Sequence, residues 1–187
     1  MKSAVYYDLG DFGTEERDIP EIGPGEVLVQ VKTCGVCGTD IHKAVTKSVP
    51  TPIVLGHELA GVIVKTGPGV DGFQGGDRVY VAHHVPCFTC HHCRRGHHTL
   101  CKQFKETNID PGGFSEYIRV PVENTRHSMG LIPDDMPFEV AALVEPVACC
   151  VRGVNRLDLH TGDSVLIMGA GSIGLIHAQI VKARGAG

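Results

Sequence analysis

The stretch Cys87-Phe-Thr-Cys90-His-His-Cys93-Arg-Arg-Gly-His-His-Thr-Leu-Cys101 brings four thiols into fifteen residues. The spacing Cys-x2-Cys-x2-Cys-x7-Cys is typical of a tetrahedral zinc site. Four thiolates at roughly 2.3 Å from the ion close its coordination shell and leave no position for a substrate. We therefore predict a structural zinc site in a lobe that spans residues 84–104.

Two alternatives accompany the zinc lobe. The four thiols could be unlinked or redox-active, and the histidines around them could compete as ligands. A run of imidazoles in a loop is usually solvated, so we assign no role to these side chains. They are His83, His84, His91, His92, His97 and His98.

Outside the lobe, the first part of the chain carries the pattern of short strands. Runs that alternate apolar and polar residues are separated by glycine and proline, which is typical of an antiparallel sheet. Four such runs lie at 26–32, 60–65, 77–82 and 114–120. They predict a barrel-like antiparallel architecture for this part of the chain.

The pattern changes after residue 135. Residues 136–154 predict a buried helix interrupted at Pro146, whose ring forbids a helical hydrogen bond. Residues 163–168 form a continuous apolar run, which predicts a strand buried on both faces. The run Gly169-Ala-Gly-Ser-Ile-Gly174 follows it and leads into an apolar helix that extends to Lys182.

Composition narrows the class of partner. The chain has 17 Lys+Arg against 21 Asp+Glu, a net charge of −4, which argues against a nucleic-acid or anionic-membrane partner and favours a small molecule. We see neither a membrane-spanning stretch nor a signal peptide. Eight cysteines at ligand-like spacings indicate metal binding in a reducing compartment, so a cytoplasmic location is expected.

A second cluster of reactive side chains lies upstream of the lobe. Thr33-Cys-Gly-Val-Cys-Gly-Thr-Asp-Ile-His42 is followed by Gly56-His-Glu-Leu-Ala-Gly61, the four-Cys lobe, Gly112-Gly-Phe-Ser-Glu-Tyr117, Val144-Glu-Pro146 and the glycine motif. Six motifs in this order resemble the zinc-containing medium-chain dehydrogenases of the alcohol dehydrogenase superfamily. Within that family the sequence is most similar to the sorbitol (polyol) and L-threonine dehydrogenase branch.

The resemblance covers essentially the whole chain and implies an α+β fold. A GroES-like antiparallel β-barrel catalytic domain with the four-Cys zinc lobe is expected over residues 1–155. Residues 156–187 are expected to be the first β-α unit of a Rossmann NAD(P)-binding domain, within which the chain looks truncated. The longer parent is expected to be a homo-oligomer.

By resemblance, a catalytic zinc ion is bound by Cys37, His57 and Glu58, with Glu145 close to the metal. A carboxylate in place of the second thiolate of a Cys2His set keeps the ligand charge unchanged. Consecutive residues of a strand point to opposite faces, so His57 and Glu58 can both ligate only if the chain leaves the extended form near Gly56. Glu145 is therefore a competitor for the carboxylate position.

The remaining cysteines have less specific interpretations. Cys34 forms a Cys-x2-Cys pair with Cys37 and could belong to another structural zinc site, although the family register makes it a small core residue. Cys149 and Cys150 lie near the end of the predicted buried helix and are expected to pack in the protein interior. None of these three thiols is assigned to a metal.

Three side chains around the proposed catalytic metal complete the constellation. Thr39 would share one face with Cys37 in an extended segment, and its alternative role is a helix or turn cap. Asp40 can cap the turn at 41–43 and also resembles the carboxylate that orients a ligand imidazole, here His57. His42 resembles the end of a proton path to solvent.

The glycine motif predicts the second cofactor. Glycines let the backbone approach a pyrophosphate, and the N-terminus of a following helix offers free N–H groups to it. The predicted contacts come from Gly169, Gly171, Ser172, Ile173 and Gly174. A tight turn in any α/β unit is the alternative, and NAD and NADP are not distinguished.

We therefore predict a zinc-dependent oxidoreductase with two Zn²⁺ ions per chain that interconverts a secondary alcohol, such as a polyol, and a ketone by hydride transfer to NAD(P). An L-threonine 3-dehydrogenase-like activity is the alternative within the class. A non-catalytic zinc-binding module is the alternative outside it, and a zinc-free quinone reductase relative would not need these ligands. The 187-residue chain by itself is expected to be inactive.

Overall fold

The computed structural model describes all residues from 1 to 187. The chain divides into two compact units, residues 1–142 and residues 143–187. The first unit contains every strand and both groups of candidate metal ligands, and the second contains two helices and the glycine motif.

The first unit is built from two antiparallel sheets. One has the strand order β2-β1-β4 and the other the order β7-β3-β5-β6-β8. The strands are β1 (Lys2–Asp8), β2 (Asp11–Glu16), β3 (Val27–Gly35), β4 (Ile53–Val54), β5 (Glu58–Thr66), β6 (Arg78–Val81), β7 (Tyr117–Val120) and β8 (Met129–Leu131).

Backbone hydrogen bonds through the segment just before β7 join the two sheets. Ala4 N–H donates to the Phe114 carbonyl at 2.8 Å, and Glu116 N–H donates to the Lys2 carbonyl at 3.0 Å. Val31 N–H in turn donates to the Glu116 carbonyl at 2.9 Å. One short segment therefore bonds to β1 and β3 together, as expected for a barrel-like arrangement.

The main core fills the space enclosed by the larger sheet. Alternate side chains of its strands point inward, so branched aliphatic residues meet from neighbouring strands. The buried members are Val27, Val29, Leu59, Ile63, Val79, Val81, Ile109, Ile118, Val120 and Met129. The four strands predicted from sequence correspond to β3, β5, β6 and β7.

The central pair β3–β5 requires a close approach of the two backbones. An added Cβ at Gly61 would overlap the carbonyl oxygen of Gln30, so only glycine fits there. At the far end of the pair, Gly35 lies opposite Glu58 in the register. This pairing places the start of β5 next to the residues that follow β3.

The first unit also has short helices. They are α1 (Gly38–Thr46), α2 (Lys102–Glu106), α3 (Val122–His127) and α4 (Phe138–Ala141). Fully buried Asn124 in α3 donates its amide to the carbonyls of Ala82 and His83, both at 3.0 Å. This contact fixes the chain just beyond β6.

The helix predicted over residues 136–154 is two helices, α4 and α5 (Val144–Val154), and the break lies at residues 142–143 rather than at Pro146. Pro146 sits in the first turn of α5, where its missing N–H has no intrahelical partner to lose. In a continuous helix its ring would clash with the carbonyl four residues earlier, at Ala142, which is the C-cap residue of α4.

In the second unit, α5 is followed by α6 (Ser172–Ala183), but the predicted strand at 163–168 is not formed. Leu166 and Met168 are 86% and 92% exposed. The prediction of a strand buried on both faces is therefore wrong for this structure. A strand is defined by hydrogen bonds to a neighbour, and no other strand lies in residues 143–187.

The longest helix, α6, has 12 residues, and none of the helices combines the length and the apolar composition that a membrane span requires.

Candidate metal centres and active site

The four thiols of the lobe converge as the spacing predicts. Cys87 Sγ lies 3.6 Å from Cys101 Sγ and 4.0 Å from Cys93 Sγ, and Cys90 belongs to the same cluster. A regular tetrahedron with metal–sulfur distances of roughly 2.3 Å has an edge of about 3.8 Å. The sulfurs are therefore spaced for one tetrahedral ion and are too far apart to be disulfide-bonded.

The local backbone also presents hydrogen-bond donors to these sulfurs. Cys90 N–H donates to Cys87 Sγ and Cys87 N–H donates to Cys101 Sγ, each at 3.3 Å. Backbone N–H groups, with the hydroxyl of Thr89, lower the pKa of Cys87 to about 6, whereas burial raises the pKa of Cys93 to about 12. Thiolate at Cys87 is thus stabilised by the fold itself.

The second ligand set begins at the N-terminus of α1. Cys37 is the N-cap residue, and its sulfur accepts the N–H of Thr39 at 3.4 Å. The Asp40 carboxylate accepts the Cys37 N–H at 3.1 Å, which completes a capping box. Burial, together with the nearby Glu58 carboxylate, raises the pKa of the Cys37 thiol.

His57 and Glu58 are the other two candidate ligands of this set. Gly56 has a φ of +89°, so the backbone leaves the extended form immediately before His57, as the sequence argument requires. Ligand atoms of Cys37, His57 and Glu58 all lie within 4.8 Å of one another, and both His57 and Glu58 are buried. An added Cβ at Gly35 would overlap the Glu58 carboxylate, so the small residue opposite in the sheet makes room for this ligand.

Buried Asp40 ties these elements together. Its Oδ1 accepts the Gly56 N–H at 3.2 Å and lies 3.3 Å from Nδ1 of His57. Burial alone would raise the pKa of Asp40. The hydrogen bond and charge interaction with His57, together with the backbone N–H groups of Gly56 and Cys37, instead hold this pKa below its usual range. With Nδ1–H donated to Asp40, Nε2 of His57 carries the lone pair that a metal requires.

Cys34 is not part of either ligand set. Its side chain packs against the main core, and burial raises the pKa of its thiol to about 12. An added Cβ at Gly113 would lie 2.7 Å from its sulfur, so the surrounding chain is tightly packed. The geometry favours a core residue over half of a third metal site.

The structure places Thr39 and His42 on α1 and not in an extended segment. The argument that Thr39 shares a strand face with Cys37 is therefore wrong, because the capping box starts a helix at Gly38. Both side chains are exposed, and their i,i+3 spacing puts them on one face of the helix. Glu145 lies half-buried in the first turn of α5, in the second unit, and Cys149 one turn away donates to its carboxylate at 3.6 Å. Cys149 is exposed, so the expectation that it packs in the interior is wrong, whereas Cys150 is buried as expected.

Two of the loop histidines are partly buried, although solvated imidazoles were expected. The His83 ring packs on His57 with centroids 4.5 Å apart, and His84 packs on His83 at 3.8 Å. Burial lowers the pKa of His83 to about 2 and also lowers the pKa of His84. The available signal was their position two and three residues after the end of β6, whose alternate residues are buried. His91 and His92 are exposed, which fits the expectation for solvated imidazoles.

The glycine motif forms a loop that leads into α6. Gly169 has a φ of +110°, a conformation that favours glycine, and Gly171 is the N-cap of the helix. An added Cβ at Gly174 would overlap the Gly169 carbonyl, so the third glycine allows the loop to fold onto the helix. The exposed residues Ser172 and Ile173 lie between them at the helix N-terminus.

Comparison with known proteins agrees with this architecture. Residues 23–134 match the model of the alcohol dehydrogenase GroES-like domain. The L-threonine 3-dehydrogenase of Chelativorans sp. (strain BNC1) is 38% identical over 178 residues, covering 92% of this chain and 50% of that protein. The sorbitol dehydrogenase of Bacillus subtilis (strain 168) is 37% identical over 194 residues, covering 100% of this chain and 54% of that protein.

Among solved structures, galactitol-1-phosphate dehydrogenase from Escherichia coli superposes with a TM-score of 0.88 at 36% identity, covering 100% of this chain and 54% of that one. An antiparallel barrel with a four-cysteine lobe and a separate Cys/His/Glu cluster defines the class of protein. The chain belongs to the alcohol dehydrogenase GroES-like domain family. It spans about half the length of the curated relatives it matches.

Proposed function

We propose that this chain is the zinc-binding part of a dehydrogenase that interconverts a secondary alcohol, in the first place a polyol, and its ketone with NAD or NADP. One observation carries the proposal: the fold holds a closed set of four thiols and, apart from it, an open set of three ligands. A purely structural zinc module needs only the first set.

The two sets fit zinc in different roles. Cys87, Cys90, Cys93 and Cys101 would hold a structural ion with a complete sulfur shell. Cys37, His57 and Glu58 would hold a catalytic ion with a thiolate and a carboxylate that balance its charge and with a position left for substrate. We assign Glu58 as the carboxylate ligand because it lies in the cluster, and we keep Glu145 as the competitor.

When bound, zinc would acidify an alcohol oxygen and polarise a carbonyl, and the nicotinamide would accept the carbinol hydride. The chain's own residues would orient the site and move the proton. Asp40 would fix the tautomer and direction of His57. Thr39 and His42, neighbours on one exposed face of α1, would carry the proton from the substrate oxygen towards solvent.

The dinucleotide would be held at the N-terminus of α6. Gly169 and Gly171 leave the backbone accessible, and Ser172 and Ile173 lie in the first turn of α6, where backbone N–H groups have no intrahelical acceptor and could bind a pyrophosphate. Gly174 lets this loop pack closely. NAD and NADP remain equal candidates.

The L-threonine alternative is favoured by one specific observation, the 38% identity with an L-threonine 3-dehydrogenase. The polyol assignment is supported by the similarity to sorbitol and galactitol-1-phosphate dehydrogenases. A panel that contains both substrate classes separates the two. We also propose domain limits of 1–155 and 156–187 and a homo-oligomeric parent. A cytoplasmic location is proposed as well, because a reducing compartment suits eight free thiols.

The test is a substrate panel on the zinc-loaded, full-length parent. Secondary alcohols, polyols and L-threonine are offered with NAD or NADP, and nicotinamide reduction is followed by absorbance. We expect turnover with at least one polyol, and the 187-residue chain assayed in parallel should be inactive because residues 143–187 contain no sheet on which to bind a dinucleotide. A parent that binds zinc at the four thiols only, with no turnover, would support the structural module.

A further inference from the structure

A continuous series of rings runs from the candidate catalytic metal ligands to the base of the lobe. His57 packs on His83 at 4.5 Å, His83 on His84 at 3.8 Å, and His84 on Phe104 at 5.0 Å, each pair tilted by 39–47°. Phe104 lies on α2, three residues after Cys101. All four rings belong to the first unit.

The middle of this series is held firmly by the backbone. The amide of buried Asn124 donates to the His83 carbonyl at 3.0 Å. Nδ1 of His84 lies 2.6 Å from the Thr107 carbonyl, and the Thr107 hydroxyl accepts the Val85 N–H at 2.8 Å. His83 therefore has its main chain fixed on one side and its ring supported by His84 on the other.

His57 needs such a support. Its contact with Asp40 at Nδ1 restrains the ring in its own plane, but a contact at one ring nitrogen does not by itself oppose a tilt of the ring about the N–H···O axis. A second ring against its face opposes that tilt. The direction of Nε2, and hence the metal–ligand geometry, depends on both contacts.

We propose that His83 is a positioning residue for His57, and that the face of its ring, not a hydrogen bond from its Nδ1, fixes the direction in which His57 presents Nε2 to the metal. This rests on the proposed function in one respect, the metal at Cys37, His57 and Glu58. The chemistry of His83 Nδ1 supports the choice of the ring face: this atom is buried and has no hydrogen-bond partner in the protein.

The test compares His83→Ala with His83→Phe in the full 187-residue chain. Phenylalanine keeps a flat ring and has no nitrogen, whereas alanine removes the ring. Each variant is loaded with Co²⁺, and the visible absorption of the Cys37/His57/Glu58 site is obtained by subtracting the spectrum of Cys37→Ser, which retains only the four-thiol site. Ion retention is measured by equilibrium dialysis against graded concentrations of chelator.

We expect His83→Ala to change the Co²⁺ absorption bands of the Cys37 site and to weaken ion retention there by about 3- to 10-fold. His83→Phe should restore both, and retention at the four-thiol site should be the same in all variants. The matched control is His92→Ala, an exposed lobe histidine outside the ring series.

Three outcomes would overturn the proposal. His83→Ala could show the same Co²⁺ bands and ion retention as the parent, His83→Phe could lose as much retention as His83→Ala, or His83→Ala could lose the ions at both sites equally. The last would indicate a general loss of structure. If instead the parent itself holds no ion at Cys37, the proposed function fails first, and the two failures are distinguished.

Discussion

The carboxylate of Asp40 lies 3.3 Å from Nδ1 of His57 and joins a helix N-terminus to a candidate metal ligand. The same carboxylate accepts the N–H groups of Cys37 and Gly56. Three backbone and side-chain donors from two separated segments therefore converge on one buried acid. The orientation of the imidazole and the start of α1 depend on the same residue.

This arrangement predicts the effect of Asp40→Asn. An amide offers one acceptor oxygen where the carboxylate offers two, so at least one of the three donors loses its partner. We expect retention of the ion at Cys37 to weaken by about 10- to 100-fold, measured by chelator competition. Asp8→Asn, at an exposed aspartate paired with Lys47, is the control and should behave as the parent does. Parent-like retention in Asp40→Asn would contradict the role given to this residue.

The two ligand sets share no residue, so they should lose metal separately. We expect two zinc ions per chain by elemental analysis, one in Cys90→Ser and one in Cys37→Ser. Cys149→Ser removes an exposed thiol outside both sets and should keep two. A single ion that either ligand substitution abolishes would show that the sets are not independent.

The choice between two carboxylates is open to a direct comparison. Glu58→Gln removes one negative charge from the Cys37 cluster and should weaken ion retention by more than the roughly 10- to 100-fold typical of a residue that only orients a ligand. Glu145→Gln should keep the ion in this chain and lower turnover in the full-length parent. Loss of the ion in Glu145→Gln with full retention in Glu58→Gln would reverse the assignment.

Packing of the β3–β5 pair predicts a stability effect far from any ligand. In Gly61→Ala the new methyl group overlaps the Gln30 carbonyl, so the strands must separate, at a cost of about 3 kcal/mol in the free energy of unfolding. Urea denaturation followed by circular dichroism measures it. Gly75→Ala is the control, because its Cβ would come no nearer than 3.9 Å to the closest neighbour and should leave the midpoint almost unchanged. Equal midpoints for the two variants would contradict the close approach.

The fold was predictable where a pattern is local. The four strands found from sequence alternate apolar and polar residues between glycine and proline, and they are four of the five strands of the larger sheet. Four strands were not predicted. β1 has alternating burial but no glycine or proline before it, whereas β2 is polar and exposed and β4 and β8 have only two and three residues. Such segments become strands only because a partner lies beside them.

The candidate site shows the same division. The turn at Gly56 was predictable, because two consecutive ligands cannot both point inward from a regular strand. The helix at Cys37 was not predictable, because an extended segment is compatible with the same residue spacing. Only the capping hydrogen bonds of Cys37 and Asp40 distinguish the two. His83 and His92 are identical residues, each next to a second histidine, and only the packing after β6 makes His83 half-buried while His92 is exposed.

The capping role of Cys37 also limits how the site can be redesigned for another metal. Its sulfur has two roles: it is a candidate metal ligand, and it accepts the Thr39 N–H at the start of α1. An engineered imidazole at this position would keep a ligand and lose the cap. Aspartate is both an oxygen ligand and a preferred helix cap, so Cys37→Asp is the substitution that can shift the preference towards harder ions while α1 still begins at Gly38.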